Sequence, residues 1–216
     1  MYNKNKYRLS FRVIFAASAG LFFSTGILAQ SAATVKQSGN QKNATSVENT
    51  TGTTVTVGGN PIHTVGKLPA VGTQVKDFTL TNVDLKEKTL SDFKGKYIVM
   101  NIFPSVNTGT CSRSVRKFNE EAANLKNTTV LCISKDLPFA QKQFCGAEGI
   151  NNVVMLSDFR SDFGSTYGVQ IKDGAMRGLL SRAVVVVDPE GKIVYEEQVA
   201  ELSHEPNYEA AKAAIK

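Results

Sequence analysis

Four stretches of the chain are apolar almost without a break: "KYIVMNIFP" from Lys96, "NTTVLCIS" from Asn127, "NVVMLSD" from Asn152 and "RAVVVVD" from Arg182. Runs of this length and β-branched content predict strands buried on both faces. Between the first two the period becomes helical. Val115, Phe118, Ala122 and Leu125 fall three, four and three residues apart, with charge on the opposite side. A second helix is predicted at "LPFAQKQFC", where Pro138 follows Asp136 by two residues, and Gly146 suits its C-terminus. "DPEG" from Asp188 turns the chain into "KIVYEEQV", and "NYEAAKAAI" closes it as a helix. Upstream, "TTVTVGGNPIHTV" from Thr53 reads as a hairpin about a Gly-Gly-Asn-Pro turn, and "DFTLTNVDLKEKTLSDF" as short strands joined by polar turns.

Strand, helix, strand, helix, two further strands with a late hairpin, and a terminal helix make a thioredoxin-like α/β fold. A central mixed sheet flanked by helices and preceded by an N-terminal β-hairpin is expected. This domain spans residues 53–216. Residues 1–29 carry a basic start, then "VIFAASAGLFFSTGILA", the pattern of an export signal peptide; uncleaved, it would serve as an anchor. Residues 30–52 are polar, rich in Ser, Thr, Asn and Gln, and read as a flexible linker. Export to a bacterial periplasm, a compartment that permits disulfides, is the expectation, with tethering on the membrane's outer side if the signal stays.

Charge adds little. The net charge is +6, but Lys4, Lys6, Arg8 and Arg12 lie within the signal, leaving +2 on the remainder. That is too little for a nucleic-acid footprint.

The candidate chemistry lies in three cysteines: Cys111, Cys132 and Cys145. A zinc site is disfavoured, because the two histidines, His63 and His204, are far apart and no cysteine pair has ligand spacing. His63, beside Pro61, reads as a surface or loop residue. Cys111 stands where a strand gives way to a helix, whose free N–H groups and dipole favour a thiolate, with Arg113 and Arg116 nearby. A reactive thiol is therefore the stronger reading there. Cys132 lies within a buried strand and reads as inert. Cys145, 34 positions beyond Cys111, lies at the accessible end of the second helix. A reversible Cys111–Cys145 disulfide and a static structural one both remain open on residues alone.

These motifs resemble the thiol peroxidase branch of the peroxiredoxins, of the atypical two-cysteine type. The pattern P-x-x-x-T-x-x-C stands as Pro104, Thr108 and Cys111 within "NIFPSVNTGTCSRSVRKFN". "DLPFAQKQFCGAEG" carries Cys145, and "SRAVVVVD" places Arg182 where that family has its catalytic arginine. The resemblance implies a homodimeric thiol-dependent peroxidase for hydrogen peroxide and alkyl hydroperoxides, without cofactor or metal. Cys111 would be the peroxidatic cysteine and Cys145 the resolving one. Thr108 and Arg182 would bind the peroxide, Pro104 would shield the pocket, and a thioredoxin-like donor would restore the thiols. An oxidoreductase acting on protein disulfides is the competing enzyme, disfavoured because no C-x-x-C is present; a binding module with a structural disulfide is the non-enzymatic alternative.

Overall fold

The computed structural model of the protein describes residues 52–216. The segment expected to direct export, 1–29, and the expected linker up to residue 51 lie outside them.

Strands β1 (Thr54–Val57) and β2 (Asn60–His63) form the N-terminal hairpin, with Val57 opposite Asn60. The turn is two residues long, tighter than Gly-Gly-Asn-Pro suggests. Gly58 and Gly59 have φ of 57° and 80°, a pair of left-handed conformations that a type I′ turn needs and glycine adopts without a Cβ clash. Asn60 and Pro61 therefore belong to β2, in a two-stranded sheet where a missing N–H costs little. His63 ends β2, and its N–H and Nδ1 both meet the Asp173 carboxylate, at 2.8 and 2.7 Å.

Next come β3 (Thr79–Asn82), β4 (Glu87–Thr89), a 3-10 turn (Leu90–Phe93) and β5 (Tyr97–Ile102). Helix α1 (Gly109–Ala122) leads to β6 (Thr128–Ser134), α2 (Pro138–Glu148) to β7 (Val154–Ser157), and the single turn α3 (Phe163–Thr166) to β8 (Ala183–Val187). Strand β9 (Ile193–Gln198) and helix α4 (Tyr208–Ala213) complete the chain. The main sheet runs β4-β3-β7-β6-β5-β8-β9, with β5, β6 and β7 mutually parallel and the other pairings antiparallel.

Two features of this topology place the site. The crossovers β5-α1-β6 and β6-α2-β7 step in the same direction, so right-handed connections put both helices on one face. Side chains also alternate between faces. Ile98, Met100, Ile102, Leu131, Ile133 and Val185 pack with Phe163 and Tyr167 on one side. Val99, Val130, Cys132, Val184 and Val186 pack with Val115 and Phe118 of α1 on the other. Each fully buried side chain of this kind contributes about 1.5–3 kcal/mol. Arg182 has the parity of Val184 and Val186, which directs it to the α1 face.

One helix end differs from expectation. Helix α2 continues through Gly146, Ala147 and Glu148, and its terminator is Gly149 (φ 65°), whose N–H bonds back to the Cys145 carbonyl. Ala147 and Glu148 are good helix formers and carry the helix one step past the first glycine. Cys145 thus lies inside the last turn. Among the described residues no helix is long and apolar enough to cross a membrane.

Candidate active site

Cys111 is the third residue of α1, whose N-cap is Thr108. Strand β5 delivers the chain to this point, and the loop Phe103–Thr108 turns it into the helix. Among the described residues, the backbone N–H groups of Gly109, Thr110 and Cys111 have no acceptor; the first helical bond is Ser112 N–H to Thr108 O, at 2.9 Å. The sulfur is thus held at the positive end of α1. Cys111 is fully buried.

Arg182 reaches the same point from β8. Ile102 stands opposite Ala183 in the β5/β8 register, so Arg182 lies level with the start of the Cys111 loop. Its Nη2 donates to Cys111 Sγ at 3.3 Å, while Nε and Nη2 both donate to the Leu202 carbonyl, at 3.1 and 2.9 Å. Arg182 is 1% exposed, and its Nη1 has no partner among the described residues. A buried donor without a partner costs free energy, and a working site is one place where that cost is kept. Pro104, Thr108, Gly109, Thr110 and Arg182 line a pocket of about 270 Å³, whose apolar wall comes from Val57, Met176 and Leu202. Pro104 is buried. The Thr108 hydroxyl donates to Ser105 O at 3.3 Å.

Asp136, one residue ahead of the N-cap of α2, ties the two cysteine-bearing helices together. Its carboxylate accepts from Ser105 Oγ at 2.7 Å, from Val106 N–H at 2.8 Å and from Ser134 Oγ at 2.8 Å. Ser134 Oγ in turn accepts from Gln141 Nε2, a buried side chain of α2, at 3.0 Å.

All three cysteines are free thiols. Cys145 is half-buried against the apolar cluster that also contains Cys111 and Cys132. Burial raises its thiol pKa, partly offset by its backbone hydrogen bond. An ion pair between Arg116 of α1 and Glu148 of α2, at 3.0 Å, holds the two helices side by side. Burial pushes Cys132 up to about 12, with a weak opposing contact from Asn101 Nδ2 at 3.6 Å, so this thiol stays protonated at neutral pH. Among the described residues no group of three or more His, Cys, Asp or Glu side chains could hold a metal ion.

The redoxin family pattern matches residues 70–212. The thiol peroxidase of Mycobacterium tuberculosis (strain ATCC 25618 / H37Rv) is 56% identical over 161 residues, 74% of this chain and 97% of that protein. That of Corynebacterium glutamicum is 55% identical over 157 residues, 73% of this chain and 95% of its own. This chain belongs to the redoxin family. Among solved structures, a peroxiredoxin-like protein from Aquifex aeolicus superposes with a TM-score of 0.71 at 40% identity, covering 74% of this chain and 95% of its own. The thiol peroxidase from Chromobacterium violaceum, at 22% identity and a TM-score of 0.68 over 74% of this chain and 93% of its own, shares the fold.

Within the redoxin domain, Pro104, Thr108 and Arg182 meet at one pocket and Arg182 touches Cys111, while Cys145 sits on the adjacent helix without bonding to either. Two neighbours of the site escape sequence reading: Asp136 and the Leu202 carbonyl. Asp136 carried a hint, standing just ahead of a Leu-Pro helix start. The Leu202 carbonyl acts across a loop that no local pattern brings near Arg182.

Proposed function

We propose that this redoxin is a thiol-dependent peroxidase in which Cys111 attacks the peroxide. The observation that carries the reading is the Arg182–Cys111 contact at 3.3 Å, made at the first turn of α1 beside the pocket. A guanidinium in contact with the sulfur, with an unpartnered donor beside it, can hold and polarise a hydroperoxide at that sulfur. The sulfur attacks the terminal peroxide oxygen, the O–O bond breaks, and the leaving oxygen takes a proton as water or alcohol. Cys111 is oxidised to a sulfenic acid and the peroxide is reduced. Arg182 Nη1 supplies a donor to the peroxide, and the Thr108 hydroxyl turns from Ser105 O to accept a hydrogen bond from the peroxide O–H while donating to the sulfur. Pro104, lacking an N–H, offers the oxygens nothing to bind unproductively.

Cys145 then attacks the sulfenic sulfur, water leaves, and a Cys111–Cys145 disulfide forms within the chain. Since both thiols are free and Cys111 is fully buried, the first turns of α1 must open for this step. A thioredoxin-like dithiol donor reduces the disulfide by exchange and is itself oxidised. Hydrogen peroxide and alkyl hydroperoxides are the substrates, the apolar wall suiting the latter. The working form is a homodimer, exported by the signal at 1–29 and carried beyond the linker.

Stopped-flow peroxide consumption with a thioredoxin-type donor tests the reading. Wild-type protein should turn over, and Cys111→Ser should not. Full turnover by Cys111→Ser would remove the assignment.

A further inference from the structure

The Leu202 carbonyl, which receives two of the Arg182 donors, belongs to a loop that is itself held from outside. Leu202 N–H donates to Thr56 O at 2.9 Å, and Thr56 N–H donates to Ala200 O at 2.7 Å, so β1 lies alongside this loop as a short parallel bridge. The bridge is locked by one side chain. Glu201 Oε2 accepts from Thr56 Oγ1 at 2.7 Å and Gly59 N–H at 3.0 Å. Its Oε1 accepts from Gly58 N–H at 3.0 Å, Ser203 N–H at 3.1 Å and Ser203 Oγ at 2.8 Å. On its other side the loop meets α1, where Thr110 Oγ1, one residue before Cys111, donates to Ser203 O at 3.1 Å.

Five donors converge on one carboxylate. They hold its pKa far below the usual range, led by the Gly59 N–H and then by the Thr56 and Ser203 hydroxyls. Two of the donors are the N–H groups of the left-handed Gly58–Gly59 turn, a concavity suited to an anion. An uncharged amide fits poorly here. It can accept on one side only, and must point N–H at donors on the other.

We propose that Glu201 is a positioning residue for the Cys111 reaction: by clasping the hairpin turn it fixes the Leu202 carbonyl, which aims the Arg182 guanidinium at the sulfur. The N-terminal hairpin thereby becomes part of the catalytic scaffold, although it supplies no reacting group. This inference rests on the peroxidase reading and names what holds its arginine in place.

The distinguishing readout is a ratio of two rates at Cys111. Peroxide oxidation needs the guanidinium at the breaking O–O bond, whereas alkylation by iodoacetamide breaks no O–O bond and needs only that the buried sulfur be reached. Wild-type protein is measured first, in stopped flow at fixed pH; absence of peroxide oxidation there would overturn the parent reading, not the role of Glu201. In Glu201→Gln, peroxide oxidation should fall about tenfold while alkylation changes by less than about twofold. Thr56→Val, which removes one donor and keeps the β-branched shape, should give the same selective loss at about threefold, and serves if Glu201→Gln does not fold. In an Arg182→Lys background, Glu201→Gln should add no further loss, because the group it positions is gone. Rates that fall together, a ratio that stays at the wild-type value, or losses that multiply in the double variant would each overturn the proposal.

Discussion

Arg182 Nη2 stands 3.3 Å from Cys111 Sγ across 71 positions of sequence, and among the described residues its remaining donors are spent on one backbone oxygen or left free. The arginine is therefore oriented before substrate arrives, with its free Nη1 as the group still to be used. Preorganised donors of this kind gain their effect from already pointing where charge develops.

Replacing Arg182 separates orientation from charge. Arg182→Met should lower the rate of peroxide reduction by about 10²–10³, the usual loss for one such donor set. Arg182→Lys should recover only part of that, because a single ammonium cannot meet Leu202 O, Cys111 Sγ and a peroxide in one plane. Stopped-flow oxidation of Cys111 measures both. Full activity in the lysine variant would show that charge alone suffices.

Cys145→Ser should still consume one equivalent of peroxide but stop at the Cys111 sulfenic acid. Intact-mass spectrometry after one equivalent should show added oxygen in place of the loss of two hydrogen atoms that marks a disulfide. A disulfide within the Cys145→Ser chain would have to use Cys132, against its burial and raised pKa.

The fold and the centre of the site were legible because their signals are local. The runs ending at Ile102 and beginning at Ala183 announce buried strands, and the change of period after Cys111 announces a helix start. Arg182 was named only through the family resemblance, and its parity with Val184 and Val186 accounts for the face it takes. What stayed hidden was relational. Glu201 acts on Gly58 and Gly59 across more than 140 positions, and Leu202 contributes a backbone oxygen that any residue type would carry. The three residues by which α2 runs past Cys145 were missed because Gly146 resembles a terminator, while of the two glycines only Gly149 takes the left-handed conformation. Of the expected site residues, Thr108 differs most in detail. It caps α1 by position, but its hydroxyl serves Ser105 O.

Cys132 predicts an alkaline signature. Its folded pKa of about 12 lies above the ordinary 9.0, so the folded state favours the neutral thiol. That contribution is complete below the ordinary value and is lost as pH rises through about 12. Cys132→Ala should cost about 1–2 kcal/mol at pH 8, from the emptied volume. The cost should shrink as pH is raised toward 11, because the wild type gives up about 1.4 kcal/mol for each unit by which the thiol is held protonated. Urea unfolding of both proteins under reductant, at matched pH, measures the narrowing. A constant difference would mean that Cys132 is less buried than its surroundings require.

Asp136 predicts how opening is controlled. Its carboxylate holds Ser105 and Val106, in the loop before Cys111, to Ser134, and Ser134 holds Gln141 of the Cys145 helix. One carboxylate therefore ties the approach to Cys111 to the start of α2, and both must loosen if the two sulfurs are to meet. Asp136→Ala strands Val106 N–H and two hydroxyls, and should cost about 1–3 kcal/mol of stability. The loss should be concentrated locally. Amide exchange across residues 104–112 should quicken, while the β5, β6 and β8 strands keep their protection. Disulfide formation after peroxide should accelerate relative to wild type, and oxidation of Cys111 itself should slow, because the loop that presents the sulfur is less ordered. Hydrogen-exchange mass spectrometry read beside quenched-flow disulfide detection separates the two effects. Unchanged exchange at 104–112 would place the opening hinge elsewhere.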